Sequence, residues 1–374
     1  MSVKQNKGEW SELYAFARLL KDGRIYAADE NVNRIDNVFL PILKIIREDE
    51  KNGNIDYHTG NVIRIFRDGE QIGEVSCDEL AKNVQLLFDK IFEGTQQKQG
   101  AFEIPDVDFF LEEMNIRQVK SPSTEKIDLL MQVHDIHTGF SPVVGFSVKS
   151  DVGSPPTLLN AGKNTRIRYE VKGITDDDMN LINSINKTTN KEYMKARMAE
   201  LFRRASSVSY DSMMSDVYEN NLVMLDSMLP RIYAFFVLYH FENLNATGLD
   251  CQSLCKMLEE KNPLNYKSKN VYTHKIKELL CASALGMTPG REWNGNEAAT
   301  GGYIVVKRDG DVLCYHLYNR NFFKEYLLKN TNIDRPSASR HDYGYIFRSD
   351  DNRYFIDLNI QIRFKSIQSS KKIN

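Results

Sequence analysis

The stretch from Lys126 to Ser150 constrains the fold more than any other part of the chain. It runs Lys126-Ile-Asp-Leu-Leu-Met-Gln-Val-His-Asp135, a turn around Thr138-Gly139, then Val143-Val-Gly-Phe-Ser-Val-Lys-Ser150. Two apolar runs on either side of a glycine-containing turn predict an antiparallel hairpin. With arms of similar length, Asp128 falls opposite the region from Ser147 to Lys149. Ser147 and Lys149 are two apart and share one face of the strand. A carboxylate, an amine and the Val148 carbonyl then converge. That is the minimum equipment for metal-dependent phosphodiester cleavage: oxygens for a hard cation and an amine to place water. The plainer reading is a surface ion pair, which is common and contributes little. Two features weigh against it. Lys149 ends an apolar strand, and the Gly/Pro/Ser-rich segment Ser150-Asp-Val-Gly-Ser-Pro-Pro-Thr-Leu-Leu-Asn160 follows, a type of loop that carries function on a rigid scaffold.

The remainder of the chain predicts helices over Glu9–Leu20, Asp78–Phe92, Lys191–Arg204, Val217–Phe241 and Gln252–Glu259, from apolar spacing near 3.6. Strands are expected over Leu40–Ile46, Val62–Phe66, Ile167–Val171 and Tyr345–Arg348, and as one run over Tyr354–Phe364. Gly302–His316 reads as a hairpin about Asp309-Gly310. This order fits a mixed α/β or α+β fold rather than a regular βαβ array. At 374 residues the chain can hold more than one domain-sized unit. A net charge of −2 produces no global positive field, but a nucleic-acid binder needs only one basic face. Five scattered cysteines suggest reduced thiols, and Cys251, Cys255, Cys281 and His274 have the wrong spacing for a zinc finger. The longest apolar runs, such as Ile232–Tyr239, are too short to cross a bilayer, and Met1–Gly8 has no signal-like segment, so a cytoplasmic protein without a membrane partner is expected. No Gly-x-x-x-x-Gly-Lys loop is present, which argues against ATP-driven chemistry.

Asp-x(n)-Ser-Val-Lys on adjacent strands, preceded by a helix bearing Gly8-Glu9-x-x-Glu12, resembles the PD-(D/E)xK nuclease fold. More narrowly, segments along nearly the whole chain resemble the HpaII family of type II restriction endonucleases. They are Lys7-Gly-Glu-Trp-Ser-Glu-Leu-Tyr14, Leu40-Pro-Ile-Leu-Lys-Ile-Ile-Arg47, Gly145-Phe-Ser-Val-Lys-Ser150 with Thr157-Leu-Leu-Asn160, Tyr315-His-Leu-Tyr-Asn319, Ser337-Ala-Ser-Arg-His-Asp-Tyr-Gly344 and Leu358-Asn-Ile-Gln-Ile-Arg-Phe364. The resemblance implies a bacterial, Mg²⁺-dependent enzyme. It would cut double-stranded DNA at the palindrome CCGG and leave 5′-phosphate ends. A homodimer and a methyltransferase acting on the same site are implied with it. Asp128, Glu12 and the Val148 carbonyl would hold the metal, with Lys149 and Ser147 completing the catalytic set. Ser147 departs from the broad pattern, which carries an acidic residue at that position. The missing carboxylate is expected from Glu12 first and Glu9 second, and Gln132 offers a neutral oxygen. The bland reading of both glutamates is a first-turn charge favoured by the helix dipole. Two other readings stay open: a catalytically degenerate DNA-binding protein of the same fold, and a repair or junction nuclease without sequence preference.

The expected organisation has four parts. Residues 1–95 support the core, 96–175 form the catalytic nuclease core, 176–290 are helical, and 291–366 form a C-terminal β region for DNA recognition. Basic clusters occur at Lys163–Arg168, Lys267–Lys277 and Arg335–Arg340. Lys191, Lys195, Arg203 and Arg204 read equally well as a solvated helix face. The hydroxyl- and arginine-rich loop Asp334–Gly344 is the best recognition candidate, since Ser and backbone donors fix phosphates while Arg reads guanine. Arg340 and His341 lead that set, with Ser339, Ser337, Arg335, Arg166 and Asn160 as further DNA contacts.

Overall fold

The computed structural model describes residues 4–49, 53–96, 100–119, 127–153, 155–186, 192–246, 249–341 and 343–365. Its centre is a nine-stranded mixed sheet. In chain order the strands are β1 (Arg24–Ala28), β2 (Arg34–Asp49), β3 (Gly53–His58), β4 (Val62–Arg67), β5 (Glu70–Ser76), β6 (Leu129–Val133), β7 (Val143–Ser150), β8 (Gly302–Val306) and β9 (Val312–Tyr315). Their order across the sheet is β1-β9-β8-β7-β6-β2-β3-β4-β5. The β7–β8 and β9–β1 pairs are parallel. β2 is longer than the expected Leu40–Ile46 because its two halves serve different neighbours. Its first half pairs with β1 and its second half lies between β6 and β3. The sheet draws strands from three of the four expected segments, so residues far apart in sequence build one surface.

Strand alternation makes this sheet a partition between two apolar cores. Phe146 and Val148 of β7, with Ile304 and Val306 of β8, face a core shared with helix α1 (Lys7–Asp22) and helix α2 (Cys77–Gln96). Tyr303 and Val305 face the other core, built by α3 (Tyr193–Arg204), α4 (Leu229–Glu242), α5 (Val271–Leu285) and α6 (Arg320–Asn330). α1 starts where Asn6 and Glu9 close a capping box, with Asn6 N–H to Glu9 Oε2 at 2.9 Å and Glu9 N–H to Asn6 Oδ1 at 3.1 Å. Trp10 anchors it by donating its indole N–H to the Phe102 carbonyl at 3.0 Å. Two smaller antiparallel sheets flank the second core. One orders Ser207–Met213, Ile167–Lys172, Tyr354–Leu358 and Ile346–Arg348; the other orders Thr157–Leu159, Gln361–Phe364 and Thr331–Asp334.

Three expectations need correction. The apolar pattern over Val217–Phe241 is two helices, Asp216–Leu225 and α4, bent by 108°. Asp226 breaks the run by accepting the Met228 N–H at 3.0 Å, and Pro230 opens the next helix; the period persists because both pieces pack on one core. The run Tyr354–Phe364 is two strands in different sheets. The buried Asn359 turns the chain between them, bonded to Thr165 and to the Gly162 carbonyl, each at 2.9 Å. Strand Ser207–Met213 and helix α6 were not anticipated from the pattern. All five cysteines are free thiols, and the tail beyond Lys365 lies outside the described residues. Among the described residues no single helix is long and apolar enough to cross a membrane.

Two buried histidines make the second core and its margin acid-sensitive. Burial, with Arg335 nearby, pushes His240 down to about 4 against the opposing pull of Asp334; burial, with His137 nearby, pushes His316 down to about 4 against Asp135. His316 Nδ1 accepts the Tyr318 N–H at 3.2 Å, which requires that nitrogen unprotonated. Both rings bind protons more readily unfolded than folded. Their contribution is therefore complete above about pH 6.5 and is lost as pH falls toward 4. Urea titrations at pH 7 and pH 5 should show the double variant His240→Leu/His316→Gln losing clearly less stability than the parent. Equal losses would sink the assignment.

Candidate active site

The hairpin forms in the expected register. Leu129 pairs with Phe146 and Leu130 with Gly145, and the Asp128 N–H continues the ladder to the Phe146 carbonyl at 2.9 Å. Asp135 caps the turn through His137 and Thr138, and Gly139 takes φ +75° there. Past Asp128 the β6 strand stops, but β7 runs on. On that side Val148 has a backbone N–H and a carbonyl with no strand partner. Side chains supply both. Asp128 Oδ2 accepts the Val148 N–H at 2.6 Å and the Ser147 hydroxyl at 3.2 Å. The Lys149 amine donates to the Val148 carbonyl at 2.9 Å and lies 3.7 Å from Asp128 Oδ2. The pair is partly open, with side chains 21% exposed for Asp128 and 31% for Lys149, whereas Ser147 is fully buried.

Glu12 and Glu9 separate as their helix positions dictate. Glu9 is committed to the α1 capping box. Glu12, just inside that turn, comes close enough to feel both Asp128 and Lys149. Burial, reinforced by Asp128, pushes its carboxyl up to about 8 while Lys149 pulls the other way. A carboxyl made costly to ionise by burial and by a neighbouring carboxylate, beside a backbone carbonyl, belongs to a donor set suited to a hard cation, which would relieve that cost. Ser147 is a donor to Asp128 here rather than an oxygen turned outward, consistent with its burial. Gln132 is not part of this corner. It pairs with Val143 toward the turn and donates to the Ser141 carbonyl at 3.0 Å. Among the described residues no cluster of three or more His, Cys, Asp or Glu side chains forms a metal cage.

Asp128, Ser147 and Lys149 open onto a cleft of about 210 Å³, whose far wall is Thr157, Leu158, Asn160, Ser283 and Ala284. Asn160 therefore joins the catalytic candidates. Thr157 lay within a segment already singled out, but Ser283 and Ala284 carry no local signal; only the packing of α5 against Thr157–Leu159 brings them in. The remaining DNA candidates lie elsewhere. Arg335 lines a second cleft of about 210 Å³ with Tyr193, Met194, Pro336 and Tyr343. Ser337 is exposed and its carbonyl accepts the His341 N–H at 3.1 Å within the turn Ala338–His341. The side chains of Ser339 and Arg340 lie outside the described ones. Arg166 is half-buried where strand Ile167–Lys172 begins, its carbonyl accepting the Met214 N–H at 3.0 Å. The solvated-face reading suits Lys195, Arg203 and Arg204, which pair with Glu192, Glu200 and Asp178. Lys191 lies outside the described residues.

The model of the HpaII restriction endonuclease family matches residues 6–364. The chain is 37% identical over 365 residues to the type II restriction enzyme HpaII of Haemophilus parainfluenzae, covering 96% of this chain and 98% of that protein. No solved structure matches the chain. The matched span takes in α1, the hairpin, the cleft wall and the loop after Asp334. With coverage this complete, the chain belongs to the HpaII restriction endonuclease family and is a type II site-specific deoxyribonuclease.

Proposed function

We propose that this restriction enzyme hydrolyses double-stranded DNA at the cleft beside Asp128 and Lys149, in a Mg²⁺-dependent reaction that leaves 5′-phosphate ends. The observation that carries the reading is the corner where β6 ends, which gathers Asp128, Lys149 and the Val148 carbonyl at the mouth of the cleft. The hairpin with α1 packed beside it supports a PD-(D/E)xK core. Asp128, Glu12 and the Val148 carbonyl would hold the cation. When bound, it supplies charge to offset the phosphate and to acidify water. Asp128 is held in place by the Val148 N–H and the Ser147 hydroxyl, so its outer oxygen keeps a fixed direction. Lys149, released from the Val148 carbonyl, directs its amine at the scissile phosphate or the attacking water and stabilises charge that develops there.

Target choice belongs to the loop after Asp334, in keeping with a recognition role for residues 291–366. CCGG is the site we propose, since the relative's family membership is shared and arginine suits guanine. A palindrome favours a two-fold homodimer. Protection of host DNA calls for a methyltransferase of the same specificity, and the enzyme would work in the bacterial cytoplasm.

Lys149→Ala should lower single-turnover cleavage of plasmid DNA by at least about 10²-fold while site-specific binding persists. A variant that cuts at the parental rate would remove Lys149 from the site. Glu12→Gln should raise the Mg²⁺ concentration needed for half-maximal rate, and an unchanged titration would exclude Glu12 as a ligand. Arg335→Ala should cost about 1–3 kcal/mol in binding the preferred duplex and relax one base-pair position. Discrete plasmid fragments are the expected product; smearing, or binding without any cutting, would overturn the proposal.

A further inference from the structure

We propose that Lys7, Arg308 and Arg363 form a second phosphate site, which holds the DNA backbone next to the cleft of Asp128 and Lys149. The inference rests on the proposed function of that cleft. The three cations come from distant parts of the chain: the start of α1, the β8–β9 turn, and strand Gln361–Phe364. They meet along the chain that leaves Lys149. Lys7 Nζ reaches the Ser150 carbonyl at 3.5 Å. Arg308 donates Nε to the Asp151 carbonyl at 3.0 Å and Nη2 to the Gly153 carbonyl at 3.4 Å. Arg363 donates Nη2 to the Pro155 carbonyl at 3.2 Å.

These residues sit beside the catalytic cleft rather than on a remote face. Arg363 pairs directly with Thr157 across the strands, and Thr157 lines the cleft with Asp128 and Lys149. Opposed residues of that kind are about 5 Å apart. The acids facing the group are Asp151 and Asp334. Asp334 is shared by Arg363 at 3.4 Å and Gln361 at 2.8 Å. Asp151 is 6% exposed and its Oδ2 has no hydrogen-bond partner, so it separates the cations without being bound by any one of them through that oxygen. Burial pushes Asp151 up to about 6, opposed by Arg308 and Lys7. Burial draws Lys7 down to about 8; Arg308 and Arg363 add to that, and Asp151 opposes it. Like charges held this close gain most from an added anion. The Arg363 side chain is 36% exposed, and a guanidinium carries five N–H donors, of which two are engaged here. A planar fork of that kind matches a phosphate.

The plainer role is mechanical: three cations that pin the chain after Lys149. Salt dependence separates the two. In a Lys149→Ala background, duplex binding is measured from about 50 to 200 mM salt. Arg363→Gln and, separately, Lys7→Gln should each lower the slope of log Kd against log salt by about 0.9, and weaken CCGG and scrambled duplexes alike. Arg363→Lys, which keeps the charge, should keep the slope. Unchanged slopes in both glutamine variants would overturn the phosphate site, even if cleavage fell. If one variant melts near ambient temperature, the other decides. Failure of the enzyme to bind or cut any duplex with Lys149 intact would instead remove the proposed function itself.

Discussion

The site depends on a mismatch in strand length. β6 stops at Leu129, two residues short of the position that would face Val148, so the Val148 N–H and carbonyl face an open corner. Unpaired backbone groups this close to a protein core are costly. Asp128 and Lys149 relieve that cost with their side chains. The same two residues are thereby locked in place as a carboxylate and an amine at the mouth of a cleft. In the proposed reaction, a cation and a phosphate would replace the partners that Val148 and Lys149 now give each other.

The partition made by the central sheet explains why the corner sits at a junction. One face of β7 is committed to the α1–α2 core through Phe146 and Val148, while Ser147 and Lys149 line the cleft. The cleft lies at the end of β6. α1 brings Glu12 close enough to feel Asp128 and Lys149, and Thr157, Leu158 and Asn160 with the end of α5 wall the cleft. The loop after Asp334 connects to the cleft wall through a small sheet, because Gln361–Phe364 lies between Thr157–Leu159 and Thr331–Asp334. The loop proposed to read bases and the corner proposed to cut are thus joined through strand pairing.

Much of this was legible locally. The hairpin register follows from arm length and a glycine turn, and the Asp309-Gly310 hairpin from its dipeptide. Glu12 and Glu9 were legible as a pair but not as a division of labour, which needed the Asn6 cap to claim Glu9. Where the pattern misled, the cause was shared packing. The helices before and after Asp226 keep one apolar period since they serve one core, and the two strands around Asn359 are both buried although they belong to different sheets. Gln132 failed as a ligand because sharing a face does not mean sharing a place. Four residues of strand separate it from Asp128, about 13 Å.

By itself, the sequence determined which residues meet at the proposed site: period-2 alternation and a tight turn are short-range effects, so Asp128, Ser147, Val148 and Lys149 are brought together within 25 residues of chain. Tertiary structure alone decided what surrounds them. That Glu12 rather than Glu9 faces the corner, that Ser283 and Ala284 wall the cleft, and that Lys7, Arg308 and Arg363 converge beside it all depend on contacts between segments far apart in the chain. No local period encodes such contacts, because they are set by how the two cores pack on opposite faces of one sheet.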